Sequence, residues 1–132
     1  MSFYYIHSAL MFIGFIFIII GVFSARFLKK MRWWLKLHKT MNIIGALSTI
    51  IGIALMTSYI SYTGSKHFNH IHSYLGFFVG FLSVITPLIG FVQLKALKSK
   101  IKFRPIHRFL GRLLIISMIF NILLGLRFAG II

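Results

Sequence analysis

Apolar residues along this chain fall into four long blocks, each cut off by a short basic or polar interval. Residues Phe3 to Ala25 carry no charge, and Arg26, Lys29 and Lys30 end the run. A second block opens with Trp33, Trp34 and His38 and continues to about Ile60; the segment Ser61 to Asn69, with Gly64, reads as a turn. A third runs from about His70 to Leu94 with Pro87 inside it, and a fourth from Pro105 to about Phe128. A bilayer core of about 30 Å asks for roughly 20 apolar residues per helix, and each block meets that length. The pattern predicts helices at about 3–25, 35–60, 70–94 and 105–128. Trp33 and Trp34 suit an interfacial belt, Pro87 a tolerated kink and Pro105 the first helical turn, where its missing N–H is harmless. The expected fold class is all-α: a polytopic membrane four-helix up-down bundle, with residues 1–132 as a single transmembrane domain. A secretory signal would place its basic residues before a shorter apolar core. Here they follow a longer one, so the first block is read as a helix.

Composition agrees and narrows the chemistry. Hydrophobic residues make up 59% of the 132, and there is no Asp or Glu, whereas a soluble domain carries mixed charge on its surface. Without carboxylates there is no paired general acid and base, no Asp-oriented triad and no calcium or magnesium cage. Without Cys there is no thiolate nucleophile, disulfide or iron–sulfur ligand. Six His remain as the main source of metal or redox chemistry.

The formal charge of +15 would suit nucleic acid if it were spread over one face. Instead, six basic residues lie between Arg26 and Lys39 and seven between Lys95 and Arg112, leaving only Lys66 and Arg127 elsewhere. Both clusters fall on one side of an up-down bundle, and the positive-inside rule then sets both termini outside, on the periplasmic, intermembrane or luminal side. Anionic membrane lipids, not nucleic acid, are the expected partners.

Each helix opens near one histidine: His7, His38, His72 and His107. Because direction alternates, His7 and His72 lie near the outer face and His38 and His107 near the inner face. In a four-helix ring, helices 1 and 3 are diagonal, as are 2 and 4, so each pair can meet across the centre. Ligands slightly inside each edge of the apolar core put two centres roughly 20 Å apart. Gly14, Gly45, Gly76, Gly80 and Gly111 follow the histidines at near-helical spacings; they leave room for a flat macrocycle or serve close helix packing. Structural zinc prefers four ligands at one site, whereas two axial imidazoles complete a six-coordinate haem iron suited to electron transfer. The reading is two haem b groups, one held by His7 and His72 and one by His38 and His107. Two haems bring four propionates to a chain without carboxylates, and Arg26, Lys39, Arg108 and Arg112 are their candidate partners, with lipid headgroups as the other role for these cations. His67 and His70 read as turn residues, His70 being the alternative ligand on helix 3.

The segments Ile6-His-Ser-Ala-Leu-Met11, Phe23-Ser-Ala-Arg26, Trp34-Leu-Lys-Leu-His38, His70-Ile-His-Ser-Tyr-Leu-Gly76 and Ile106-His-Arg-Phe-Leu-Gly-Arg112, with Asn121 and Gly125, resemble the cytochrome b561 family, in particular its compact four-helix, ferric-reductase-like members. The resemblance implies the same pairing, His7 with His72 and His38 with His107, and transmembrane electron transfer, an oxidoreductase role. No complete ascorbate-site signature is recognisable, so donor and acceptor stay open. The absence of carboxylates raises an alternative: an accessory subunit of a larger respiratory-type membrane complex with acidic partners. A proton relay through the histidines ranks last, since relays usually employ intramembrane carboxylates.

Overall fold

The computed structural model describes residues 2–95 and 100–132. Four helices follow in order: α1 Ser2–Phe27, α2 Trp34–Tyr62, α3 Ile71–Lys95 and α4 Lys100–Phe128. At 1.5 Å per residue, the shortest of them reaches about 37 Å, more than a bilayer core. All four are long and apolar enough to cross a membrane. The α1–α2 link is a tight turn with Met31 N–H bonded to the Leu28 carbonyl at 2.9 Å. The α2–α3 turn uses Gly64 at φ 67°, a left-handed conformation that glycine adopts without strain.

The start of α4 departs from the sequence expectation. Pro105 lies inside the helix rather than in its first turn, because α4 begins at Lys100. Lys and Arg are good helix formers, so a basic stretch that reads as loop continues the helix beyond the apolar span. The expected α3–α4 connection, including Lys98, lies partly outside the described residues.

Adjacent helices pack around a ring, most extensively within α1–α2 and within α3–α4; the backbones of the diagonals α1/α3 and α2/α4 do not approach each other among the described residues. The core is small: Met11, Ile18, Val79, Leu82, Leu114 and Met118 are buried together, while Phe12, Ile16, Phe81, Leu88, Ile116 and Phe120 face outward. Lipid is as apolar as these side chains, so association within the bundle must come from close packing and internal hydrogen bonds.

Gly14 and Gly45 supply the close packing. A Cβ on Gly14 would stand 2.9 Å from the Gly45 carbonyl, and one on Gly45 would stand 2.8 Å from the Gly14 carbonyl. Of their two sequence-level roles, these glycines serve the α1–α2 crossing, not a cofactor floor. Ser48 hydroxyl, donating across the same crossing to the Leu10 carbonyl at 2.8 Å, adds a polar tie.

Candidate functional site

The alternation of helix direction brings the four histidines together two by two. His7 of α1 and His72 of α3 have ring centroids 6.3 Å apart with planes at 87°. His38 of α2 and His107 of α4 are 6.0 Å apart with planes at 85°. Both contacts bridge diagonal helices whose backbones stay apart among the described residues. Among the described residues no three His cluster, so the imidazoles occur as two pairs.

Each ring is held by one backbone bond. His7 Nδ1–H donates to the Gly52 carbonyl at 2.9 Å, and His38 Nδ1–H to the Gly21 carbonyl at 2.8 Å. His72 Nδ1–H donates to the Asn121 carbonyl at 3.1 Å, and His107 Nδ1–H to the Thr86 carbonyl at 3.1 Å. A carbonyl can only accept, so the proton belongs on Nδ1 and the Nε2 lone pair is free to ligate a metal. Asn42 Nδ2 also lies 3.2 Å from His38 Nδ1, but its amide donates instead to the His38 carbonyl at 2.7 Å.

These bonds reveal a repeat. The acceptor lies fourteen residues after the histidine of its own helix in all four cases: Gly21 after His7, Gly52 after His38, Thr86 after His72, Asn121 after His107. Fourteen residues are close to four turns, so both groups share a face about 21 Å apart. The α1–α2 and α3–α4 hairpins are thus built alike, each fastening its two histidines reciprocally at opposite ends.

Glycines back two of the rings. A Cβ on Gly90 would stand 3.0 Å from His107 Cε1, and one on Gly125 would stand 3.0 Å from His72 Cε1. Of the glycines that follow the histidines in sequence, Gly80 faces Ile53 and Gly76 faces Asn121, whereas Gly111 has open space before it.

That space belongs to a cavity of about 500 Å³ at the His38/His107 pair, lined by His38, His107, Gly111 and the cations Arg26, Lys39, Arg108 and Arg112. The structure therefore brings all four cations named from the sequence to one place. Lys29 and Arg104 line it too, and sequence reasoning missed both. Arg108 and Arg112 are four residues apart and share one face of α4, about 100° or more round the helix from His107. The Thr86 hydroxyl and Gln93 Oε1, both from lining residues, are buried without a hydrogen-bond partner among the described residues, as is Asn121 Oδ1 at the His7/His72 level. His67 is engaged by the Ser61 hydroxyl at 3.1 Å and His70 lies against Phe128 with centroids 4.8 Å apart. Neither joins the pairs.

The residues fit a haem. Two imidazoles sharing one metal at about 2.0–2.1 Å per bond have centroids roughly 6.4 Å apart, close to both observed separations. The cavity volume lies within the roughly 300–1,000 Å³ usual for organic ligands, and the cationic lining suits carboxylates.

Residues 6–132 match the family model described as eukaryotic cytochrome b561. No curated protein and no solved structure matches the chain. With a family match over essentially its whole length and four membrane-spanning helices, this integral membrane protein belongs to the cytochrome b561 family, whose members bind haem b and transfer electrons across the membrane.

Proposed function

We propose that the chain carries electrons between the two membrane faces through two haem b groups, one held by His7 and His72 near the outer face and one by His38 and His107 near the inner face. The observation that carries this reading is the pairing itself: two sets of facing imidazoles, 6.3 and 6.0 Å apart, each ring with Nδ1 engaged by a carbonyl. A bis-imidazole haem iron, when bound, exchanges one electron without an open coordination position.

The chain's own residues do the rest. Four carbonyls fix the tautomer and hold each ring, leaving Nε2 free to ligate, so little ligand reorientation accompanies a change of charge. The buried side chains Met11, Ile18, Val79, Leu82, Leu114 and Met118 form the apolar layer of the bundle. Arg26, Lys39, Arg108 and Arg112 balance propionates at the inner level. Basic clusters facing inward and both termini outward complete the arrangement. The test is haem quantification on purified protein. Two b-type haems per chain with low-spin bis-imidazole spectra are expected; one or none in folded protein overturns the reading.

A second reading rests on a separate observation, the lack of any carboxylate beside 15 basic residues. Such a chain suits a place in a larger membrane assembly whose neighbours bring acidic groups. Isolation in mild detergent distinguishes the two settings: a stoichiometric complex supports it, and a free monomer or homodimer counts against it.

A further inference from the structure

The reciprocal hairpins give both histidine pairs nearly the same scaffold. Spacing differs by 0.3 Å between 6.3 and 6.0 Å, interplanar angle by 2° between 87° and 85°, and every ring donates to a helix carbonyl. Any inequality between the two levels must come from their surroundings. Neutral dipoles do not supply it, because unpartnered side-chain oxygens occur at both, Thr86 Oγ1 and Gln93 Oε1 at one and Asn121 Oδ1 at the other.

Charge does supply it. Six cationic side chains, Arg26, Lys29, Lys39, Arg104, Arg108 and Arg112, line the inner cavity, and the chain has no carboxylate to offset them. The two propionates of one haem leave about four in surplus. The outer level has only Lys66 and Arg127, both exposed. Reduction adds one negative charge to a centre, and nearby positive charge stabilises the reduced form. The levels are about 21 Å apart, and a charge acts more weakly on a centre the farther it lies from it. Each cluster therefore acts mainly on its own level.

On the two-haem reading, we infer that the inner centre has the higher reduction potential, so a half-reduced chain holds its electron at the His38/His107 level and the favoured internal transfer runs from outer to inner. In that transfer one electron leaves the outer centre, which is oxidised, and the inner centre is reduced. No bond forms or breaks.

Potentiometric titration of the haem-loaded protein with dithionite and ferricyanide tests this. Lys29→Gln with Arg104→Gln removes two surplus cations not assigned to propionates. Because exposed charges act weakly, each should weaken reduction of the inner centre about threefold and the pair about tenfold, which is about 59 mV for one electron. The higher-potential component should fall by that amount while the lower one stays nearly fixed. Lys66→Gln with Arg127→Gln should leave the higher component in place. A fall in the lower component alone, equal shifts in both, or no shift with the inner-face pair overturns the inference. Wild-type protein gives a second measure that needs no variant: raising salt from 0.01 to 1 M should narrow the gap, since the Debye length drops from about 30 to 3 Å, and a gap that salt leaves unchanged also overturns it. A single haem per chain would instead sink the two-haem reading.

Discussion

Adding one methyl group at Gly90 should injure the inner histidine pair and spare the outer one. The new Cβ would stand 3.0 Å from His107 Cε1 and 3.3 Å from its Nδ1, whereas relaxed carbon contacts need about 3.5–4.0 Å. The ring must retreat by about 0.5 Å, and its anchor to the Thr86 carbonyl is already 3.1 Å long, near the outer limit of about 3.2 Å for such a bond. Losing that bond costs about 0.5–1.5 kcal/mol, or roughly a two- to thirteenfold loss of cofactor affinity at this level. Gly125→Ala should do the same to His72, whose Cε1 is also 3.0 Å from the built Cβ, at the outer level. Leu88→Ala, at an exposed position of α3 that does not line the cavity, serves as the control. Haem retention during dilution in detergent, followed at each centre by low-temperature reduced-minus-oxidised spectra, is the assay. Equal losses from Gly90→Ala and Leu88→Ala, or loss of the same centre from Gly90→Ala and Gly125→Ala, would refute the argument.

Single ligand variants should divide by level: His7→Ala or His72→Ala removes the outer haem only and His38→Ala or His107→Ala the inner only, while His67→Ala and His70→Ala keep both, as counted by haem per chain. Retention of both haems in His72→Ala would make His70 the α3 ligand. Gly14→Ala drives a methyl toward the Gly45 carbonyl at 2.9 Å and should lower stability by about 1–3 kcal/mol without changing the haem spectra, measured as the thermal midpoint in detergent.

The helices were readable because each apolar block is long and each break is basic or polar. The pairing was readable because direction alternates along an up-down chain and each helix has its histidine near the start. Other features depend on which neighbour a helix meets and at what register, which one strand of sequence does not state. Gly90 and Gly125 lie seventeen and fifty-three residues from the histidines they back, so no local pattern joins them. Gly14 and Gly45 share a face with His7 and His38, yet their backbones meet each other. The fourteen-residue step from each histidine to an acceptor carbonyl is present in the sequence, but two acceptors are Gly, one Thr and one Asn, since any residue offers a carbonyl. Pro105 misleads because a helix that emerges into a polar interface continues through lysines that resemble a loop.

The reciprocal fastening also bears on how the molecule comes together. One hairpin owns His7 and His38, the other His72 and His107, so neither hairpin holds both ligands of either centre. Helices pack more extensively within a hairpin than between hairpins, and the ring-to-carbonyl bonds stay within a hairpin as well. On the two-haem reading each macrocycle is a rivet driven through two prefabricated halves. The halves can set their internal register while empty, and the cofactor then joins them at both ends.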